Sequence, residues 1–462
     1  GAYALMLQTM GAATRVYYGD LYTDNGQYMA KKSPYFDQIT TLLKARPKYV
    51  AGGQTSYIHN LAGDGVSSAK DNKEVLVSVR YGQDLMSKTD TEGGKYGRNS
   101  GMLTLIANNP DLKLADGETI TVNMGAAHKN QAYRPLLLGT DKGIVSSLND
   151  SDTKIVKYTD AQGNLVFTAD EIKGFKTVDM SGYLSVWVPV GATDDQNVLA
   201  KPSTKAYKEG DKIYSSSAAL EAQVIYEGFS NFQDFVKEDS QYTNKLIAAN
   251  ADLFKSWGIT SFEIAPQYVS SKDGTFLDSI IENGYAFTDR YDFAMSKNNK
   301  YGSKEDLRDA FKALHKQGIQ VIADWVPDQL YTLPGKEVVT ATRTDTHGKV
   351  LDDTSLVNKL YVTNTKSSGN DFQAQYGGAF LDKLQKLYPE IFKEVMEASG
   401  KTIDPSVKIK QWEAKYFNGT NIQKRGSDYV LSDGKLYFTV NDKGTFLPAA
   451  LTGDTKAKTG FA

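Results

Sequence analysis

Two rhythms of apolar and polar positions alternate along this chain. Around residues 246–264, and again around 303–324, apolar side chains recur at helical spacing, a glycine follows, and a short apolar run of strand length comes next. In the first of these stretches Leu246, Ile247, Leu253, Phe254 and Trp257 form the helical stripe. Gly258 closes it, and Ile259 to Ile264 is predicted strand, ending in Pro266-Gln267. In the second, Ser303 and Asp306 make a capping pair with Asp in place of the usual Glu. Leu307, Phe311 and Leu314 mark the buried face, Gly318 ends the helix, and Ile319 to Asp324 follows as a buried strand. Two helix–glycine–strand units in succession predict parallel βα architecture. That last strand hands Asp324, Trp325, Asp328 and Gln329 to the mouth of a sheet, which is where α/β barrels build sites.

The first 50 residues predict one more strand, Thr14 to Tyr18, and one more helix, which Ser33-Pro34 starts and Pro47 stops. A further strand is expected near 284–288, giving four of this kind. From 51 to 220 the period changes. Runs such as Val75 to Val79, Met102 to Ile106, Thr119 to Val122 and Leu184 to Val190 are separated by Gly, Asn and Asp turns, which predicts an antiparallel β domain. Residues 336–410 mix polar loops with a helical stripe of Leu381, Leu384, Leu387 and Phe392. From Trp412 onward short strands, Tyr429 to Leu431 and Leu436 to Val440, predict a separate β-rich piece.

Composition narrows the picture only slightly. The 462 residues suffice for several domains, and 40% hydrophobic with 23% charged residues is ordinary for globular protein. A net charge of −2 gives no support to a nucleic-acid or membrane-surface partner. With no cysteine, disulfides, thiolate metal sites and cysteine nucleophiles are excluded. No apolar run is long enough to span a membrane and no signal peptide appears, but the opening GAYALMLQTM is already apolar and reads as the middle of a domain, so a missing signal says little about where the intact protein goes. The 28 tyrosines suit ring stacking on sugars and equally suit a β-rich fold. The four histidines, at 59, 128, 315 and 347, are scattered without metal-binding spacing, and His315 is expected to be structural.

Three segments carry a family resemblance. NGYAFTDRYDF (283–293), YGSKEDLRDAFKALHKQGIQVIADWVPDQ (301–329) and RVYYGD (15–20) resemble conserved segments of the α-amylase clan, the last resembling its eighth strand. Here that strand and the β domain precede the others, so the order is circularly permuted. With APQYVSS, VYYGDLYTDNGQYM and KYFNGTNI, the chain resembles the glucansucrases of glycoside hydrolase family 70 over nearly its whole length. The resemblance implies an α/β fold: part of a circularly permuted (β/α)8 barrel with an inserted antiparallel β domain and further mixed and β-rich domains. Residues 1–50 would end the first half of the barrel and 51–220 would form domain C. The second half-barrel would be 221–335, with 336–411 in domain B and 412–462 opening domain IV.

Retaining glycosyl transfer needs two carboxylates about 5 Å apart. No stretch resembles the family's nucleophile or acid/base motifs, so the resemblance places both in a missing N-terminal half. The present residues then supply the donor-sugar site: Asp324 accepting from sugar hydroxyls, Gln329 donating and accepting, and Tyr285 as a ring platform. A structural salt bridge for Asp324 and a core position for Tyr285 are the competing readings. Asn231 and Asp278 resemble positions on the acceptor side. Asp328 would be a Ca2+ ligand, an oxygen donor as calcium prefers, or else a surface loop residue. Asn283 replaces the His of the clan's motif and receives no role.

The implied function is glucosyl transfer from sucrose to a growing α-glucan with release of fructose. The partners are sucrose, α-glucan acceptors and the remainder of the same protein, secreted by a Gram-positive bacterium to its exterior or cell surface. An α-glucanotransferase using starch-like donors, a branching sucrase, and a non-catalytic carbohydrate-binding fragment remain as alternatives.

Overall fold

A computed structural model describes residues 1–61, 72–199, 220–271, 277–289 and 292–326, with the single position 386 and four short strands further on. The chain divides into two compact units. One comprises Gly1–Asp234, Leu246–Glu263 and Ala310–Ile322, and the other Phe235–Lys245, Ile264–Asp309 and Ala323–Ala462.

The first unit begins with α1 (Ala2–Met6), β1 (Thr14–Tyr17), α2 (Tyr18–Leu21) and α3 (Phe36–Tyr49). Helix α3 does not stop at Pro47. The proline lies inside the last turn, and Val50 N–H closes the helix on the Arg46 carbonyl at 3.0 Å. A proline there removes only one of the final amide donors, so the turn survives it. Nor does Ser33 cap the first turn: the N-cap position is Tyr35, with no side-chain bond.

An antiparallel β domain follows, from β2 (Gln54–His59), β3 (Val75–Arg80), β4 (Met102–Ala107) and β5 (Thr119–Asn123) through β6 (Ala132–Thr140), β7 (Gly143–Ser146) and β8 (Lys157–Tyr158) to β9 (Asn164–Thr168), β10 (Phe175–Lys176) and β11 (Ser181–Pro189). Its main sheet runs β2-β3-β4-β11-β6-β7, with β8 against β6 and β10 against β11, while β5 pairs with β9 separately. Inward residues of both sheets, among them Val75, Val77, Leu103, Leu105, Ile120, Val122, Leu165 and Phe167, share one core. Phe167 meets Trp187 edge to face at 5.4 Å. Pro135 of β6 sits where its register with β11 slips, between Val186 and Trp187, the one kind of place an interior strand tolerates a missing N–H.

Four strands make the remaining sheet, in the order β1-β12-β13-β14, with β12 at Val224–Glu227, β13 at Ser261–Ile264 and β14 at Gln320–Ala323. Strands β1, β12 and β13 pair in parallel. The fourth member is therefore β12, whereas the expected strand at 284–288 is a bend holding a single bridge from Phe287 to Ser270. VIYE is only four residues long, too short for its period to give a signal, while the partners on both sides fix it. The helical stripe before β13 is two helices, α4 (Thr243–Ala249) and α5 (Ala251–Ser256), broken at Asn250, with Ile247, Phe254 and Trp257 buried. Strand β14 is not buried as expected: Gln320, Ile322 and Ala323 are exposed because it occupies the sheet edge.

A polar knot fastens the start of β12 to the β domain. Glu221 meets Arg80 at 2.9 Å and accepts the Gly11 N–H at 2.8 Å. Arg80 donates to the Gln8 and Gly52 carbonyls, both at 2.6 Å, and Arg46 donates to the carbonyls of Leu7 and Glu221. Burial pushes the Arg46 guanidinium down to about 10, with Glu221 opposing the shift.

In the second unit, α6 (Leu277–Ile280) precedes the NGY segment. The first turn of α7 (Lys304–Lys316) carries the expected reciprocal cap: Asp306 N–H donates to Ser303 Oγ at 3.1 Å, and Ser303 N–H to Asp306 at 2.9 Å. The further strands are two hairpins, β15 (Gly335–Ala341) with β16 (Leu356–Val362), and β17 (Gln423–Arg425) with β18 (Asp428–Val430). Of the expected helix at 381–392 only position 386 is described, and the expected strand at 436–440 lies outside the described residues.

Candidate active site

The site is built on the turn that carries Asn283, Gly284 and Tyr285. Gly284 has φ +91, and a Cβ there would stand 2.0 Å from the Pro266 carbonyl oxygen, so the position admits only glycine. Its N–H donates to Ser270 Oγ at 3.2 Å. This pins the backbone and fixes the departure of Tyr285.

The Tyr285 hydroxyl donates to the Asp324 carboxylate. Asp324 follows β14 directly, and its own N–H donates to the Ile264 carbonyl at 3.3 Å. A carboxylate fixed through its backbone and one oxygen retains acceptor capacity on its other oxygen. Tyr301, fully buried, donates to the Asn283 carbonyl at 2.9 Å. Burial pushes its phenol well above the ordinary range, and the nearby Asp324 charge adds to the shift.

Asn283, which sequence reasoning left without a role, is the connector. Its side-chain oxygen accepts the Tyr285 N–H at 3.2 Å, and its amide nitrogen donates to Asp278 at 3.0 Å. The structure thus joins Asp278, Tyr285 and Asp324 into one chain of hydrogen bonds. Beneath it lies a buried amide network that sequence reasoning also missed. Asn244 donates to Gln267 Oε1 at 2.8 Å, and Asn299 donates to the Gln267 carbonyl at 2.8 Å while accepting the N–H groups of Tyr301 and Gly302. Three separated amides give no periodic signal, though Gln267 lies in APQYVSS and Asn299 just precedes the 301–329 segment. Asn231 is half-buried on the turn after β12 and belongs to the first unit. Asp328 and Gln329 lie outside the described residues. Among the described residues no group of three or more His, Asp or Glu is placed to hold a metal.

A tyrosine on a glycine-enforced turn is thus set against a carboxylate at the end of β14. The whole chain, residues 1–462, matches glycosyl hydrolase family 70, and the chain belongs to that family. It is 57% identical to Glucosyltransferase-S of Streptococcus mutans serotype c across all of its own length and 32% of that protein. To Glucosyltransferase-S of Streptococcus downei it is also 57% identical, over 97% of this chain and 32% of the relative. Among solved structures, truncated alternansucrase from Leuconostoc mesenteroides superposes with TM-score 0.82 at 44% identity, covering 100% of this chain and 43% of that one. Alternansucrase in complex with isomaltononaose gives 0.81 at 46%, over 97% and 37%. The chain spans about a third of the length of the curated relatives it matches.

Proposed function

We propose that the intact protein is a retaining glucosyltransferase that moves glucose from sucrose to a growing α-glucan. A carboxylate from outside this chain attacks C1 of the glucosyl unit, and a second carboxylic acid protonates the departing fructose oxygen. An acceptor hydroxyl then attacks the glucosyl ester, giving its proton back to the second group. The Tyr285–Asp324 pair supports the reading most directly: it offers a ring on a rigid turn hydrogen-bonded to a carboxylate at a strand end, groups suited to a sugar. Asp324 accepts from hydroxyls of the bound glucose, Tyr285 lies under its ring, and Gln329 reaches a further hydroxyl. Asn231 and Asp278 serve the acceptor side. The four-stranded sheet is proposed as half of a circularly permuted (β/α)8 barrel that the rest of the protein completes, and the enzyme as one that works outside the cell.

Calcium enters the proposal through Asp328 alone, since the described residues assemble no cage, and further oxygen ligands would come from elsewhere in the protein. Its role would be to tie the loop after β14 in place. Fructose release from sucrose by the intact protein is the test. Turnover of starch-like donors without fructose release would instead support an α-glucanotransferase, and carbohydrate binding without turnover a binding module.

A further inference from the structure

Among the described residues two tryptophans are buried, Trp187 at 3% exposure and Trp257 at 1%, while Trp325 is 57% exposed. An indole left this open is usually mobile, yet Trp325 is held. Its N–H donates to the Tyr268 hydroxyl at 2.8 Å. Tyr268 is itself 2% exposed and lies in a stack of three rings, 4.0 Å from Phe287 and 4.4 Å from Phe293, with interplanar angles of 20° and 26°. The pillar thus fixes the polar edge of the indole. Trp325 follows Asp324, the acceptor of the Tyr285 hydroxyl, directly in the chain.

A tryptophan whose only polar atom is satisfied offers an apolar face and no further hydrogen bond, so hydrophobic contact alone can engage it. One residue along the chain from the carboxylate proposed to bind a hydroxyl-bearing ligand, the matching surface for such a face is the C–H face of a pyranose ring. Holding the indole before binding removes the rotamer entropy that a free side chain would lose on contact. We propose that Trp325 is a stacking platform for a glucosyl ring of an α-glucan chain, and that Tyr268 is the positioning residue that holds it. This rests on the reading of the site as a sugar site and adds to it a subsite outside the Tyr285–Asp324 pair.

The test uses the intact protein, with Trp325→Ala, Trp325→Phe and Tyr268→Phe, and isomaltotriose as the probe. Calorimetry should show Kd weakened about tenfold by Trp325→Ala, as for loss of one aromatic contact. Tyr268→Phe keeps the stacked ring and removes the hydroxyl, and should weaken Kd by about threefold. Trp325→Phe should fall between the parent and the alanine variant. In transfer assays the effect should fall on KM for isomaltotriose more than on kcat. An unchanged Kd in Trp325→Ala overturns the proposal. A fall in Tm with parallel loss of fructose release and transfer, and no selective change in KM, also overturns it and makes Trp325 a packing residue. If the parent binds isomaltotriose through Trp325 yet releases no fructose from sucrose, the platform stands and the sucrase reading falls.

Discussion

At the scale of single residues, Asp324 and Tyr285 share one hydrogen bond, so each substitution disturbs both groups. In the intact protein Asp324→Asn should lower fructose release about 100- to 1,000-fold, the usual loss when a preorganised polar contact at a reacting centre is removed. Near-parental release would remove Asp324 from the sugar site. Gln329→Ala is expected to act in the same range, read in the same assay. Asn283→Ala is a sharper probe, because Asn283 is 1% exposed and touches no proposed ligand. It leaves the Tyr285 N–H without its acceptor and Asp278 without its donor, and should destabilise by about 1–3 kcal/mol. A melting curve unchanged by that substitution would mean the relay carries no stability. Asp328→Ala should abolish the dependence of melting temperature on chelator, provided the parent shows one, and a variant as chelator-sensitive as its parent is not missing a ligand. Tyr285 and Asp324 stood out in the sequence because they lie in motifs, and the structure joins them in one hydrogen bond, while their part in a sugar site is the proposal these substitutions test. Asn283 escaped because it departs from the motif by one residue type, and its bonds to Asp278 and the Tyr285 N–H form only in the folded turn.

Among elements, those with strong periodicity and clear punctuation were readable, as β3, β4 and α7 illustrate. Those decided by partners were not. Strand β12 has four residues and an unremarkable pattern, yet lies between β1 and β13, so tertiary pairing creates it. Helix α3 runs through Pro47 for the converse reason: buried Leu42, Leu43, Ala45, Arg46 and Tyr49 hold its last turns against the local penalty. The Glu221 knot belongs to the same class of feature, since nothing local predicts that residues 8, 46, 80 and 221 meet. Its side chains are nearly free of water, so Glu221→Gln strands Arg80 without its counter-charge. We expect roughly 3–5 kcal/mol of destabilisation, seen as an early unfolding step of the first unit in denaturant. A loss within 1 kcal/mol of zero would show that the carbonyls around Arg80 suffice to hold it.

For the molecule as a whole, the two kinds of sheet have different needs. The β domain encloses its own core of 20 buried hydrophobic residues, from Val75 to Trp187. The four-stranded sheet ends on β14, whose Ile322 is 38% exposed, although parallel sheets are normally covered on both faces. Limited proteolysis of the isolated 462-residue chain should therefore cut around β14 and spare 75–189. In the longer protein the amides of Val321 to Ala323 should exchange more slowly than in the isolated chain. Equal exchange in the two would mean that nothing covers that edge.

The parallel pairing of β1 with β12 also sets a clock. Arg15 and Glu227, which form an ion pair across those strands, are 212 residues apart in the chain. At the ribosome's pace of about 5–20 residues per second, β1 waits ~10–40 s for the strand beside it. The whole β domain is made in that interval, and all its pairings are internal to it. It has time to fold first and bring the two distant strands close together, which shortens the effective loop that β12 must close to reach β1. A slow-folding variant of the β domain would lengthen the wait, leaving β1 unpaired among nascent chains and lowering yield without touching any residue of the sugar site.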